Sequence, residues 1–300
     1  MMNKTGYFIV SLFLILFTGI LKSQKPADPL PFFFIQVTDP QFGMFESNKG
    51  FGKETELYEK AVTAINRLNP DFVVITGDLV NNKDDKSQIS EFKRITAKIN
   101  SKIPVYYSPG NHDIGQDPTQ KDIDSFIANY GHDRFSFMHK KSLFIGLNSC
   151  IIKAKTPVLE QLQFEWLRKT LSENKKADHI IVFCHYPYFI KTFDEPDNYS
   201  NIPPDTRKKY LNLFKESGVN AVFAGHLHDN VSLRYENIDM IISGASGKSL
   251  SKDPSGIRIV LVYPDRIETV FYGLDEIPGT IILTDNGHVF NHQFQLALIR

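Results

Sequence analysis

Five short apolar runs, each ending in a cluster of polar residues, constrain the fold of this chain more than any other feature. Phe32-Phe33-Phe34-Ile35-Gln36-Val37 runs into Thr38-Asp39-Pro40-Gln41. Asp71-Phe72-Val73-Val74-Ile75-Thr76 runs into Gly77-Asp78-Leu79, and Pro104-Val105-Tyr106-Tyr107 leads to Gly110-Asn111-His112-Asp113. The run at 179–184 ends in His185-Tyr186-Pro187, and the run at 220–224 ends in Gly225-His226-Leu227-His228. Segments of helical periodicity separate them: 54–68, with Leu57, Ala61, Ala64, Ile65 and Leu68 on one face, then 89–99, 122–130, 158–171 and 205–217. Residues 135–140 and 142–149 are expected to form a hairpin. Gly218 follows the last helix at the position favoured for a left-handed cap. Strand–helix alternation predicts an α/β domain, and such sheets bind ligands at the carboxyl ends of their strands. The five clusters are therefore expected to converge.

From residue 231 the pattern changes to strand after strand: 231–236, 239–243, 257–263, 266–272, 280–284 and 288–295, with a turn signal at Asp285-Asn286-Gly287. The whole predicts one domain, 24–300, with a motif core at 32–245 and a β-rich part at 246–300. Its expected architecture is a mixed two-sheet sandwich flanked by helices. The polar, Pro-rich stretch 191–204 reads as a loop over a site, with Tyr186, Tyr188 and Phe189 as the expected wall.

Residues 1–23 stand apart. Lys4 precedes an apolar run from Tyr7 to Leu21, and Ser23 offers a small residue for cleavage. The run is shorter than the about 20 apolar residues of a spanning helix. It predicts a signal peptide and an exported, periplasmic or secreted protein; an uncleaved N-terminal anchor is the alternative. Cys150 and Cys184 are the two cysteines of the chain, and Cys184 lies inside an apolar run, so both are read as buried small hydrophobes rather than a disulfide. With 34 basic and 34 acidic residues and no basic stripe, nucleic acid is not a favoured partner.

Carboxylate, amide and imidazole donors suit Mn, Fe or Zn. Two ions sharing one Asp can activate a water and clamp the oxygens of a displacement at phosphorus. No P-loop, Ser elbow or CxxC competes with that reading. His132, His139, His179, His288 and His292 lack any such context and are read as surface or packing residues.

The ordered series Asp39-x-Gln41, Gly77-Asp78, Gly110-Asn111-His112-Asp113, His185 and Gly225-His226-x-His228 resembles the calcineurin-like metallophosphoesterases, whose pattern is D-x-H, GD, GNH(D/E), H and GH-x-H. Thr38-Asp39-Pro40-Gln41 and Asp205-Thr206-Arg207-Lys208-Lys209 resemble most a branch described as acting on phosphoserine and phosphothreonine. The resemblance implies a four-layer αββα sandwich and two divalent ions, Mn, Fe, Zn or Mg, with Mn favoured. It implies that Asp39, Gln41, Asp78 and His228 hold one ion and Asp78, Asn111, His185 and His226 the other. His112 would protonate the leaving oxygen, oriented by Asp113, while a metal-activated hydroxide attacks. Gln41 stands where the family has His: either it ligates through its amide oxygen, which makes that site weaker and favours harder ions such as Mn or Mg, or it does not ligate and the centre holds one ion. Asn81 stands where purple acid phosphatases place a Tyr, which argues against a Tyr-ligated ferric site. The implied activity is hydrolysis of phosphate monoesters, of small molecules or phosphoproteins. Diester hydrolysis on the same centre and a non-catalytic metal-binding scaffold are the alternatives. His112 speaks against the scaffold, which has no need of an acid there.

Overall fold

The computed structural model describes residues 31–284 and 287–291. The proposed signal segment lies outside the described residues, as do Asp285 and Asn286 of the predicted turn and the end of the last predicted strand. In chain order the elements are β1 (Phe32–Val37), α1 (Gly52–Leu68), β2 (Val73–Thr76), α2 (Lys86–Thr96), β3 (Val105–Ser108), α3 (Asn111–Ile114) and α4 (Gln120–Tyr130). There follow β4 (Phe135–His139), β5 (Ser142–Gly146), α5 (Ser149–Lys153), α6 (Pro157–Glu173), β6 (Ile180–Phe183), α7 (Pro204–Ser217) and β7 (Ala221–Ala224). The chain continues with β8 (Val231–Tyr235), β9 (Ile238–Ile242), β10 (Gly256–Val262), β11 (Ile267–Gly273), β12 (Thr280–Thr284) and β13 (Gly287–Asn291).

Two mixed sheets result. The first has the order β11-β10-β1-β2-β3, the second β4-β5-β6-β7-β9-β8, and β12 and β13 pair as a separate antiparallel two-stranded sheet. Strands β1, β2 and β3 run parallel, and so do β5, β6, β7 and β9. The sheets face each other across a layer rich in phenylalanine. Phe34 of β1 stacks on Phe72 at 4.9 Å and meets Phe144 and Phe183 of the other sheet edge-on, both at 5.6 Å. Strand alternation explains the division. Phe32 and Phe34 enter this layer, whereas Phe33, Ile35 and Val37 join the cluster that also contains the apolar faces of α1, α2, α6 and α7. Two central sheets flanked by helices match the expectation from the sequence.

Two local readings are corrected. Helix α2 starts three residues earlier than its apolar face indicated, because the Asp85 carboxylate caps it, accepting from Ser87 N (2.8 Å) and Gln88 N (3.2 Å). The strand predicted over 142–149 ends at Gly146, and Ser149–Lys153 is a short helix. An apolar run such as Cys150-Ile151-Ile152 suits either state.

Next along the Phe32–Phe34 face comes Gln36, buried between the sheets. Its amide donates to Thr76 Oγ1 (3.0 Å) and the Ala224 carbonyl (3.2 Å) and accepts from Ser243 Oγ (2.6 Å). It thereby ties the ends of β1, β2 and β7 together just below the loops that carry the polar clusters. An unpaired amide here would cost its full desolvation; with three partners it fixes the mutual register of the two sheets.

Candidate metal centre

The loops beyond β1 and β2 remain paired after the strands end. Asp39 N donates to Gly77 O (3.2 Å) and Gln41 N to Asp78 O (2.8 Å). This sets Asp39, Gln41 and Asp78 side by side. Two glycines permit the approach: a Cβ at Gly110 would overlap Asp78, and one at Gly225 would overlap Thr38 and Asp39. The polar residues themselves take unusual backbone geometry. Asp39, Gln41, Asp78, His226 and His228 have φ of 50°, 39°, 48°, 72° and 53°. A non-glycine residue in this left-handed region costs on the order of 1 kcal/mol or more, and such residues cluster at functional sites.

Two triads form. The ligand atoms of Asp78, His185 and His226 lie within 4.8 Å of one another, and so do those of Asp39, Asp78 and His228, all buried. Asp78 belongs to both, as a bridging carboxylate must. His228 Nδ1 donates to the Lys248 carbonyl, leaving Nε2 3.4 Å from Asp39 Oδ1. His185 Nδ1 donates to the Thr76 carbonyl (3.1 Å), leaving Nε2 3.3 Å from Asp78 Oδ2 and 3.1 Å from Asn111 Oδ1. A carbonyl holding one ring nitrogen so that the other faces a ligand group is the usual support of a metal-bound histidine.

The fit to metal ions can be tested on orphaned atoms. Asp39 Oδ1, Gln41 Oε1 and His226 Nε2 are buried without a hydrogen-bond partner. Buried polar atoms are seldom left so. Gln41 is informative because its Nε2 donates to Asn81 Oδ1 (3.1 Å), which fixes the amide and leaves the oxygen unused. The oxygen-and-imidazole donor set suits divalent cations, and the residues present fit such ions.

Electrostatics agree. Burial would push the His185 pKa down, but Asp78 and Asp39 outweigh it and raise it to about 9. Burial, then the neighbouring His185, lowers His226 to about 3. In the metal-free protein His185 therefore holds the proton and His226 accepts it across 3.2 Å. A raised folded-state pKa stabilises the fold below the ordinary value of 6.5, and that contribution is lost as pH rises through about 9. Asp113, raised to about 8 by burial and then by Asp78, acts in the same direction from 3.8 upward. The urea midpoint of the protein in EDTA is thus expected to be lower at pH 9 than at pH 6.5. A flat or rising midpoint would contradict this protonation state.

His112, half-buried, sits beside the triads. Its backbone N donates to Asp78 Oδ1 (2.9 Å), and its Nδ1 donates to the Asn81 carbonyl (2.9 Å), which leaves Nε2 as the free ring nitrogen. Asp113 does not orient this ring, contrary to the expectation. Its Oδ1 accepts from Leu79 N (2.9 Å) and Val80 N (3.3 Å), and its Oδ2 from Gly110 N (2.8 Å). It binds the Asp78 loop to the Gly110 turn. The reason is that α3 is a helical turn, in which neighbouring side chains point about 100° apart.

The expected wall is also redrawn. Tyr186 lies against His226, ring centroids 4.3 Å apart, but Tyr188 packs on Tyr210 and Phe214 in the core and Phe189 is buried. Tyr199, not singled out from the sequence, stands at the centre instead. Gln36 and Lys248 also escaped sequence reading, as did the part that Asn81 plays in holding Gln41 and His112. A buried Gln inside an apolar strand was the available signal for Gln36; Lys248 acts through a backbone carbonyl, for which the sequence carries none. Among the described residues the two cysteines are free and buried, and no helix is long and apolar enough to cross a membrane.

The profile of the family "Calcineurin-like phosphoesterase" matches residues 34–230. The chain is 39% identical over 266 residues to the serine/threonine-protein phosphatase CPPED1 of Rattus norvegicus, covering 82% of this chain and 85% of that protein. Among solved structures, purple acid phosphatase PPD1 from yellow lupin (Lupinus luteus) superposes with a TM-score of 0.61 at 14% identity, covering 84% of this chain and 53% of that one. A dimetal phosphatase from Danio rerio gives 0.55 at 14% identity, covering 82% and 100%. These two likenesses bear on the fold. The family match and the CPPED1 relationship show that the chain belongs to the calcineurin-like phosphoesterases, hydrolases of phosphoric esters.

Proposed function

We propose that the protein hydrolyses phosphate monoesters, phosphoserine and phosphothreonine among them, at a two-ion centre. The observation that carries this reading is the pair of buried triads sharing Asp78, with the free Nε2 of His112 beside them. Asp39, Gln41, Asp78 and His228 would hold one ion, and Asp78, Asn111, His185 and His226 the other. Bound divalent ions supply the charge that activates water and neutralises phosphoryl oxygens. Asp78 fixes the spacing of the two positions, and its second hydrogen bond, from His112 N, sets the imidazole next to them. His112 Nε2 delivers a proton to the departing oxygen, while Asn81 O holds its Nδ1 proton in place. Similarity to a serine/threonine-protein phosphatase supports phosphoprotein substrates, and the apolar segment at Tyr7–Leu21 supports an exported enzyme. Faster turnover of an aryl diester than of the monoester would overturn the monoester assignment.

Gln41 decides the stoichiometry. Its unused amide oxygen argues that it ligates, with a preference for Mn or Mg over softer ions. Purified residues 24–300 are expected to bind two Mn per chain and hydrolyse an aryl monophosphate. Gln41→His is expected to keep two ions but bind Zn more tightly. One ion in the natural sequence and two only in Gln41→His, by elemental analysis, would show instead that Gln41 does not ligate.

A further inference from the structure

We infer that Tyr199 is a specificity-determining residue, its ring forming the wall against which the esterified group of the substrate packs. The inference rests on the phosphoesterase reading above and extends it to the part of the substrate that leaves. A half-exposed tyrosine needs no explanation by itself. What singles out Tyr199 is its position and the structure built to hold it.

Tyr199 is 53% exposed, yet its ring centroid lies 5.0 Å from that of His226 and its hydroxyl 3.4 Å from Asn111 Nδ2. His226 and Asn111 come from different loops and are assigned to the same ion position. The tyrosine thus bridges them from above while keeping about half of its surface free. Rigid aromatic surface of this kind contributes contact area at little entropic cost.

The segment carrying it, between β6 and α7, has no regular secondary structure but is pinned throughout. Arg207 of α7 is 0% exposed. All three of its guanidinium nitrogens donate to carbonyls of this segment: Nη1 to Phe193 and to Glu195 (2.8 Å), Nε and Nη2 to Ile202 (3.2 and 2.9 Å). The Glu195 carboxylate closes the opposite side, accepting from Ile190 N (2.9 Å), Lys191 N (2.8 Å) and Thr192 N (3.2 Å). Lys153 holds the tip through Asp197 Oδ1 at 2.7 Å. A fully buried arginine spent on backbone carbonyls costs desolvation that only an ordered loop offsets. Arg207 is therefore a positioning residue, and Tyr199 is presented as a fixed surface. A phosphoryl group bound where Asn111 and His226 converge would lie beside that ring, with its esterified group against it. Within the monoesters proposed above, the ring favours those whose esterified group brings apolar or planar surface to it over those whose group is small.

The test is binding to the Mn-loaded protein, followed by calorimetry, of two probes with the same headgroup: phenylphosphonate and methylphosphonate. Tyr199→Ala is expected to weaken phenylphosphonate about 10-fold, the size of a lost aromatic contact with its buried area, with methylphosphonate changed less than about twofold. Tyr199→Phe is expected to retain phenylphosphonate binding. Equal weakening of both probes, or of neither, overturns the inference. Arg207→Met is expected to reproduce the selective loss at unchanged Mn content; should it fail to fold, Tyr199→Ala still decides. If the natural protein binds neither probe, the monoesterase reading proposed above falls, and this inference with it.

Discussion

Asp78→Asn is expected to lower kcat/KM for an aryl monophosphate by about 10³-fold or more, with bound Mn falling from two per chain to one or none. Asp78 belongs to both triads, so the change touches both ion positions where any other single substitution touches one. Asparagine keeps the shape and one oxygen but removes the charge and the second acceptor. Charge stabilisation of several kcal/mol is at stake in such centres, and each ~1.4 kcal/mol is tenfold in rate. The fold should tolerate the change, since an amide oxygen still accepts from His112 N. Elemental analysis beside the kinetics makes the expectation specific. Retention of two ions and of activity would show that Asp78 does not bridge.

His112→Ala is the second large effect, and it depends on the substrate. A general acid contributes about 10²–10⁴-fold when the departing oxygen needs a proton. Loss of the free Nε2 should therefore reduce kcat by that order for a phosphoserine peptide, whose leaving group is an alkoxide. A 4-nitrophenyl ester, whose leaving group departs as a stable anion, should lose less than about tenfold. Mn content should be unchanged, because the ring makes its hydrogen bond to the Asn81 carbonyl and only its backbone N touches Asp78. Equal losses for both esters would assign His112 to phosphate binding rather than proton transfer. Activity at the natural level on both would remove it from the mechanism.

The strands that end in polar clusters were legible because two regularities coincide. Buried parallel strands are continuous apolar runs, and side chains in the following turns have few places to go but the shared edge. Asp39, Asp78, Asn111, His185, His226 and His228 could all be placed by that logic. What stayed hidden was orientation supplied from a distance. The Gln41 amide is set by Asn81, 40 positions away, and the His112 ring by that residue's carbonyl. Asp113 follows His112 in the chain, but the single turn of helix separates their side chains. Tyr199 lay in a stretch read correctly as a loop near the centre. Its importance depends on Arg207, whose burial under that loop follows from tertiary packing and not from any local pattern.

The left-handed geometry of the ligand residues bears on how such a protein ages in evolution. Five of the seven positions assigned to the ions hold a side chain in a conformation that glycine or asparagine would adopt with less strain. The substitutions that most easily make this chain sturdier are therefore among those that disarm it, a direct conflict between durability and chemistry. Selection for stability without hydrolysis would act at these positions first. Its product would keep the same sandwich, with a higher melting temperature and no catalytic ions.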